Sequence, residues 1–219
     1  MERMELPELV RPRLRGVSHQ YAFFVSVALG AVLVASAPPG WATAACAVYA
    51  VAVCGLFGTS ALYHRLTWTP RGRRRMRRLD HSMIFVLIAG TYTPVAVLAL
   101  SGTMQVVMLS VAWGGALAGV VLKVVWVDAP KWLGAAIYVA LGWVSLLALG
   151  QLSTAVGTLA VVGFGVGGVL YTAGAVIYAL GKPNPWPGIF GFHEVFHALV
   201  IAAAALHYAV IALLVVPRG

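Results

Sequence analysis

The sequence has few charged side chains and very few acidic ones. Charged residues make up 10% of its 219 positions, whereas hydrophobic residues make up 61%, and the mean hydropathy is +0.91. A typical soluble domain carries about 25% charged residues, so this chain has too little polar surface to fold as a water-soluble globule. Lipid is therefore expected to be the solvent for most of the chain.

Acidic residues and cysteines are the scarcest reactive side chains. Three of the six carboxylates fall in the first eight residues, which leaves Asp80, Asp128 and Glu194 as the acidic side chains of the rest of the chain. Cys46 and Cys54 lie in one apolar segment. On a helix their α-carbons would be about 12 Å apart, which is too far for a disulfide. We interpret them as small buried apolar residues.

Seven apolar runs are long enough to cross a hydrocarbon core, which takes about 20 helical residues. They cover residues 19–37, 41–63, 81–100, 103–122, 132–149, 154–180 and 192–216. This pattern predicts an all-α membrane protein with a seven-transmembrane-helix bundle. We expect a tail at residues 1–18, a transmembrane domain at 19–216 and a short C-terminal end at 217–219.

Basic residues alternate between the predicted connections and so indicate an orientation. Connections 38–40, 101–102 and 150–153 hold no Lys or Arg. The tail and the predicted loops at 64–80, 123–131 and 181–191 hold nearly all of them, including Arg65, Arg71, Arg73, Arg74, Arg75, Arg77 and Arg78. By the positive-inside rule the N-terminus is cytoplasmic and the C-terminus is outside, in a multi-pass protein of the cytoplasmic membrane.

The net charge of +9 does not by itself indicate a nucleic-acid partner. No DNA-binding motif or pattern of stacking aromatic residues accompanies the arginines, so membrane lipid is the expected partner. The sequence leaves the oligomeric state open, with a homo-oligomer as one alternative. The first apolar run also resembles a signal peptide with a cleavage box at Ala35-Ser36-Ala37, although Pro38 argues against cleavage.

Two familiar seven-span functions receive little support. A retinal protein needs a Schiff-base lysine in its last span, and residues 192–216 contain none. An ion pump or channel is expected to carry charged side chains at mid-membrane, whereas the predicted spans are almost free of them.

Ligand-type side chains converge at one predicted face of the membrane. His193 and His197 are four residues apart and share one face of the seventh span, so the two imidazoles can bind one metal ion. Ser60 and His64 have the same spacing at the end of the second span, and Asp80 precedes the third. Three histidines with an open fourth position are typical of catalytic zinc. Asp80 would then hold or deprotonate water, and Ser60 would orient it or a substrate oxygen.

Other interpretations of the same region stay open. His193 to His197 also matches the H-E-x-x-H motif of zinc proteases, in which Glu194 would be the general base. The alternative for Glu194 is a carboxylate that supports the metal ligands from outside or lies at the membrane interface. For His19 and His81 we favour interfacial positions, and for His207 a hydrogen bond within the bundle.

The combined motifs resemble those of a known family. Ser60-x3-His64, Asp80-His81 with Gly90-Thr91-Tyr92-Thr93-Pro94, and His193-Glu194-x2-His197 are similar to the hemolysin III family, bacterial relatives of the progestin and adipoQ receptors. The resemblance implies a zinc-dependent membrane hydrolase in which His64, His193 and His197 bind zinc. In that case Asp80 binds the metal's water and Ser60 assists.

The sequence and the resemblance together favour one function over another. The leading prediction is a zinc-dependent hydrolase that acts on a lipid amide or ester near the cytoplasmic face. The alternative is a non-catalytic protein of the hemolysin III type that perturbs membranes, forms pores or maintains the membrane, with a structural zinc. A kink at Pro94, rather than contact with substrate, is the interpretation we prefer for the segment Gly90 to Pro94.

Overall fold

The computed structural model describes residues 12–218; residues 1–11 of the predicted tail and residue 219 lie outside the described part. Among the described residues, seven helices are long and apolar enough to cross a membrane, which confirms the all-α, seven-span prediction. They are α1 (Val17–Ser36), α2 (Trp41–Arg65), α3 (Pro70–Ala99), α4 (Gly102–Val125), α5 (Lys131–Val156), α6 (Thr158–Leu180) and α7 (Phe192–Arg218). Large apolar side chains remain exposed on the outside of the bundle, as expected in lipid.

Consecutive helices pack against each other because most of their connections are short. Helix α2 lies between α1 and α3, α3 also contacts α4, and α6 pairs with α7. The core includes a cluster of large side chains around Tyr49, Phe57 and Leu87, and a second around Phe85 and Met108. Helices α2, α3 and α7 are the most buried, so their facing sides offer the best protected environment for polar groups.

Helix α3 begins well before its apolar part. The segment 64–80 was predicted to be a loop, but α3 starts at Pro70, and the Thr69 side chain accepts a hydrogen bond from the Gly72 backbone N–H. Proline at the first helical position and a threonine cap favour a start here, and arginine is a good helix former. The arginines therefore extend α3 beyond the lipid. We call this end of the bundle, where α2 ends and α3 and α7 begin, the arginine-rich end.

Two further connections differ from the prediction. Residues 150–153 are helical, because a 3₁₀ segment at Val144–Ala148 continues into a helix that ends at Val156. The break comes at Gly157, whose φ of 84° is unfavourable for other residues. Lys123 was also predicted in a loop, but it lies in the last turn of α4. A basic side chain is favourable there because the helix dipole is negative at this end.

The segment around Pro94 is buried where α2, α3 and α4 meet. Pro94 lies inside α3, and the Thr91 and Thr93 hydroxyls donate to the carbonyls of Leu87 and Ala89, each at 2.8 Å. Pro94 has no N–H, so the carbonyl that it leaves without a helical donor is that of Gly90. The two threonine hydroxyls therefore do not satisfy that carbonyl. Packing is the clearer role, since a Cβ on Gly90 would lie 2.5 Å from that of Ala52 in α2.

Candidate metal centre

Three helices bring the five predicted site residues together at the arginine-rich end. Ser60 and His64 lie in the last two turns of α2, whereas Asp80 lies three turns inside α3. His193 and His197 occupy the first two turns of α7. Because α2 ends where α3 and α7 begin, residues that are 129 positions apart, such as His64 and His193, become neighbours.

The three imidazoles form a compact group that can hold a metal ion. One ring nitrogen from each of His64, His193 and His197 lies within 4.8 Å of the others. The Nε2 atoms of His64 and His193 are 3.2 Å apart, and the His193 and His197 ring centroids are 4.5 Å apart. His64 and His197 are buried, with exposures of 6% and 1%. The site is thus shielded from bulk water on most sides.

The predicted Asp80 and Ser60 side chains border this group. The Asp80 Oδ2 atom lies 3.9 Å from the His64 Nε2 atom, and the carboxylate is largely buried. Ser60 is 2% exposed and interacts with the Asp80 carboxylate. A carboxylate at this distance is beyond direct hydrogen bonding to the imidazole, so Asp80 adjoins the group without being bonded to His64 through these atoms.

A fourth histidine, which the sequence interpretation placed at the interface, belongs to the same cluster. His19 of α1 is 3% exposed, and its ring stacks on that of His197 with centroids 3.7 Å apart. Its Nδ1 atom shares a hydrogen bond with the Ser60 hydroxyl at 2.8 Å. His19 has no ligand-type residue one turn away in sequence, so spacing could not reveal it. The topology could have revealed His19, because α1 begins at the arginine-rich end.

Glu194 has a structural role in the described chain. Its Oε2 atom accepts a hydrogen bond of 2.7 Å from the Gly191 backbone N–H at the start of α7. Its Oε1 atom accepts a hydrogen bond from Arg15, and the carboxylate is 2% exposed. Both oxygens therefore cap the helix and tie α7 to the segment before α1. Both carboxylate oxygens already accept hydrogen bonds from the protein. This arrangement does not suit the general base of an H-E-x-x-H protease, which must accept a proton from water.

The other two histidines have separate surroundings. His207 hydrogen-bonds the Phe164 carbonyl at 3.2 Å, which confirms the prediction of a bond within the bundle. His81 is partly buried rather than fully interfacial, and its backbone carbonyl accepts a hydrogen bond from the Tyr138 hydroxyl. The Nδ1 atoms of both histidines are buried and have no hydrogen-bond partner among the described residues.

A mostly apolar cavity of about 390 Å³ opens from the histidine cluster into the bundle. We call it the central cavity; it lies between α3, α5, α6 and α7. His193 and His197 line one end, and His207 lines a deeper part. Since His193 and His207 are fourteen residues apart on α7, the cavity extends about 21 Å along that helix. Its volume lies within the range of small-molecule binding sites.

Comparison with known proteins identifies the family of the chain. The family model described as "Haemolysin-III related" matches residues 8–208. The "Hemolysin-3 homolog" of Bacillus subtilis (strain 168) is 31% identical over 168 residues, which are 75% of this chain and 74% of the relative. The "Hemolysin-3" of Bacillus cereus is 28% identical over 209 residues, 93% of this chain and 91% of the relative.

A eukaryotic receptor shares a shorter segment. The "Adiponectin receptor protein" of Drosophila melanogaster is 52% identical over 46 residues, which are 19% of this chain and 10% of the receptor. The family model and the two bacterial relatives cover most of the chain and confirm the resemblance drawn from its motifs. The chain is thus a multi-pass protein of the cell membrane that belongs to the Haemolysin-III related family.

Proposed function

We propose that this protein is a zinc-dependent hydrolase that cleaves an amide or ester bond of a membrane lipid. The observation that carries the proposal is the position of the histidine cluster, with Asp80 beside it, at one end of an apolar cavity inside the bundle. A metal-binding group, a carboxylate and a lipid-sized compartment in one place are what such a reaction requires.

The donor set fits zinc. Two nitrogen ligands of a tetrahedral zinc ion lie about 3.4 Å apart, given zinc–nitrogen bonds of 2.0–2.1 Å. The 3.2 Å between the Nε2 atoms of His64 and His193 is close to that value, and His197 supplies the third imidazole. Three neutral imidazoles leave one coordination position open, which is the arrangement of catalytic rather than structural zinc.

The residues around the cluster have complementary roles in hydrolysis. When bound, zinc supplies Lewis acidity that makes water a good nucleophile at neutral pH. Asp80 accepts a proton from water as the water oxygen bonds to the acyl carbon. The carbon–nitrogen or carbon–oxygen bond breaks, and Asp80 returns the proton to the leaving amine or alcohol. Ser60, held by His19 at 2.8 Å, orients the Asp80 carboxylate.

The central cavity supports a lipid rather than a water-soluble substrate. Its walls include Leu87, Ile88 and Val200, which offer few partners to a polar substrate and bury apolar chains favourably. A depth of about 21 Å accommodates an extended acyl chain with its carbonyl at the histidine end. By the positive-inside rule the arginine-rich end faces the cytoplasm, so the reaction takes place near the cytoplasmic leaflet.

The competing function is a non-catalytic protein that perturbs or maintains the membrane. The names of the two Bacillus relatives, "Hemolysin-3 homolog" and "Hemolysin-3", are the observation in its favour. In that account zinc is structural, and Asp80 serves only to orient His64. The two functions therefore make opposite predictions for a variant that keeps the metal but loses the carboxylate.

The Asp80→Asn variant tests the proposal. Purified protein in detergent is incubated with a panel of N-acyl and O-acyl lipids, and released fatty acid and bound zinc are measured on the same samples. We expect the variant to keep its zinc and to lose activity by about 10²-fold or more, as for removal of a general base. Retained activity with retained zinc would contradict a catalytic role for Asp80, and absence of release from every lipid by the parent would favour the non-catalytic function.

A further inference from the structure

A buried lysine lines the central cavity without an acidic partner in the described part of the chain. Lys123, in the last turn of α4, is 4% exposed. Within residues 12–218 its ammonium group forms no ion pair and no hydrogen bond to another side chain. The Nζ atom lies 6.0 Å from the centroid of the Tyr138 ring, and it occupies the space beside Gly134, where an added Cβ would lie 2.9 Å from it.

The neighbouring charges do not neutralise this lysine. Arg77, which also lines the cavity, pairs with Asp128 at 2.8 Å. Asp80 lies against His64 and Ser60. Lys131 lines the same end of the cavity and contacts the rings of Tyr178 and Phe192, so it adds a second positive charge. The cavity therefore has an excess of positive charge beside its catalytic end.

Burial of an uncompensated ammonium group is unfavourable in a membrane protein. A lysine in the last turn of a transmembrane helix usually extends toward the interface and keeps its ammonium group in water. Lys123 has that option at the end of α4, yet its side chain is turned inward beside Gly134. This placement makes the ammonium group available to an anionic ligand that enters the cavity.

The lysine is close to the proposed reaction site. The ring of Tyr138 contacts Lys123. The Tyr138 hydroxyl donates a hydrogen bond of 3.2 Å to the backbone carbonyl oxygen of His81. His81 follows Asp80 directly in α3. Tyr138 therefore links Lys123 to the turn of α3 that carries Asp80, and both residues line the central cavity. A headgroup held by Lys123 would lie at the same end of the cavity as the carboxylate that we assign to hydrolysis.

We propose that the central cavity selects acyl lipids with a phosphate-bearing headgroup, and that Lys123 binds the phosphate. The inference rests on the proposed function for its use of the cavity as a lipid site. A phosphate monoester carries nearly two negative charges at neutral pH, which matches the two lysines Lys123 and Lys131 better than a neutral headgroup does. Anionic lipids are also attracted to a basic membrane-facing surface such as the arginine-rich end.

Binding of two matched lipids tests the assignment. Oleoyl lysophosphatidic acid and monooleoylglycerol differ only by the phosphate, and their affinities are measured for the intact chain in the Asp80→Asn background, so that neither is consumed. We expect the phosphate-bearing lipid to bind about tenfold tighter or more, as for one charge-assisted hydrogen bond. Lys123→Met should reduce this ratio to about one, whereas Lys123→Arg should keep it.

Lys182→Met is the matched control, because Lys182 is an exposed lysine in the connection between α6 and α7 at the same end of the bundle. It should keep the ratio of the parent. Equal affinities in the parent, or an undiminished ratio in a Lys123→Met protein that elutes as a folded monodisperse species, would overturn the assignment. Inorganic phosphate alone should bind far more weakly than the lipid; equal affinity would overturn the lipid in favour of a free phosphate ligand.

Zinc content, measured on the same samples, separates this inference from the proposed function. A ratio that depends on Lys123 in a protein without zinc would overturn the hydrolase while supporting the anionic lipid site. A ratio of one in a protein with zinc would overturn the role of Lys123 alone.

Discussion

The imidazole ring of His19 lies flat on that of His197, with centroids 3.7 Å apart and planes inclined by 9°. The same ring reaches Ser60 through its Nδ1 atom at 2.8 Å. One side chain of α1 therefore contacts both a candidate metal ligand on α7 and a candidate catalytic group on α2. Changing a residue that holds a metal ligand in place typically lowers metal affinity or activity by about 10- to 100-fold.

We predict that His19→Ala lowers the hydrolytic kcat and the zinc affinity by about 10- to 100-fold each. His19→Phe keeps an aromatic ring against His197 but loses the bond to Ser60, so it should keep zinc and lose kcat with little change in KM. His19→Asn, which restores a polar atom near the Nδ1 position, should recover part of the activity. Titration of zinc affinity together with steady-state kinetics checks these outcomes; equal losses in all three variants would indicate a purely structural role.

We predict that Glu194→Ala destabilises the protein without removing its chemistry. The change leaves the partly buried Arg15 without its partner and removes the acceptor of the Gly191 N–H. Breaking a buried ion pair costs about 3 kcal/mol of unfolding free energy, so thermal unfolding in detergent should occur at a lower temperature. Activity per folded molecule should remain close to that of the parent. Complete loss of activity in a folded Glu194→Gln protein would instead assign Glu194 the role of the general base.

We predict that filling the far end of the central cavity changes the preferred acyl chain length. Ala148 is buried, lines the cavity, and lies about 25 Å along α5 from Lys131. Ala148→Phe should reduce cleavage of long-chain lipids more than that of short-chain lipids and leave zinc content unchanged. Ala140→Phe, an exposed position on the same helix, is the control. An equal effect on all chain lengths would contradict the placement of the chain in this cavity.

Much of the fold followed from hydropathy, because a membrane span needs a long apolar run and little else. The additional turns at the start of α3 could not be predicted from hydropathy, since arginine is compatible with both a helix and a charged loop. Lys123 was assigned to a loop because lysine, like arginine, is compatible with both a helix end and a charged loop. Its inward orientation depends on the space that Gly134 leaves in another helix, and hydropathy carries no information on such a contact.

Spacing and topology were sufficient to group Ser60, His64, Asp80, His193 and His197, because residues at i and i+4 share a helix face and alternate helices begin at the same end. They were not sufficient for His19, whose partners are both on other helices. The role of Glu194 was also open, because its cap on Gly191 and its ion pair with Arg15 depend on how the segment before α1 approaches the start of α7.

Metal content of the detergent-purified protein tests the central claim most directly. The parent is compared by mass spectrometry with the triple variant His64→Ala/His193→Ala/His197→Ala and with His207→Ala, which changes a partly buried histidine bonded to Phe164 outside the cluster. We predict about one zinc ion per chain in the parent and in His207→Ala, and none in the triple variant. Absence of metal from the parent, or an equal zinc content in the triple variant, would contradict a zinc site at these three histidines.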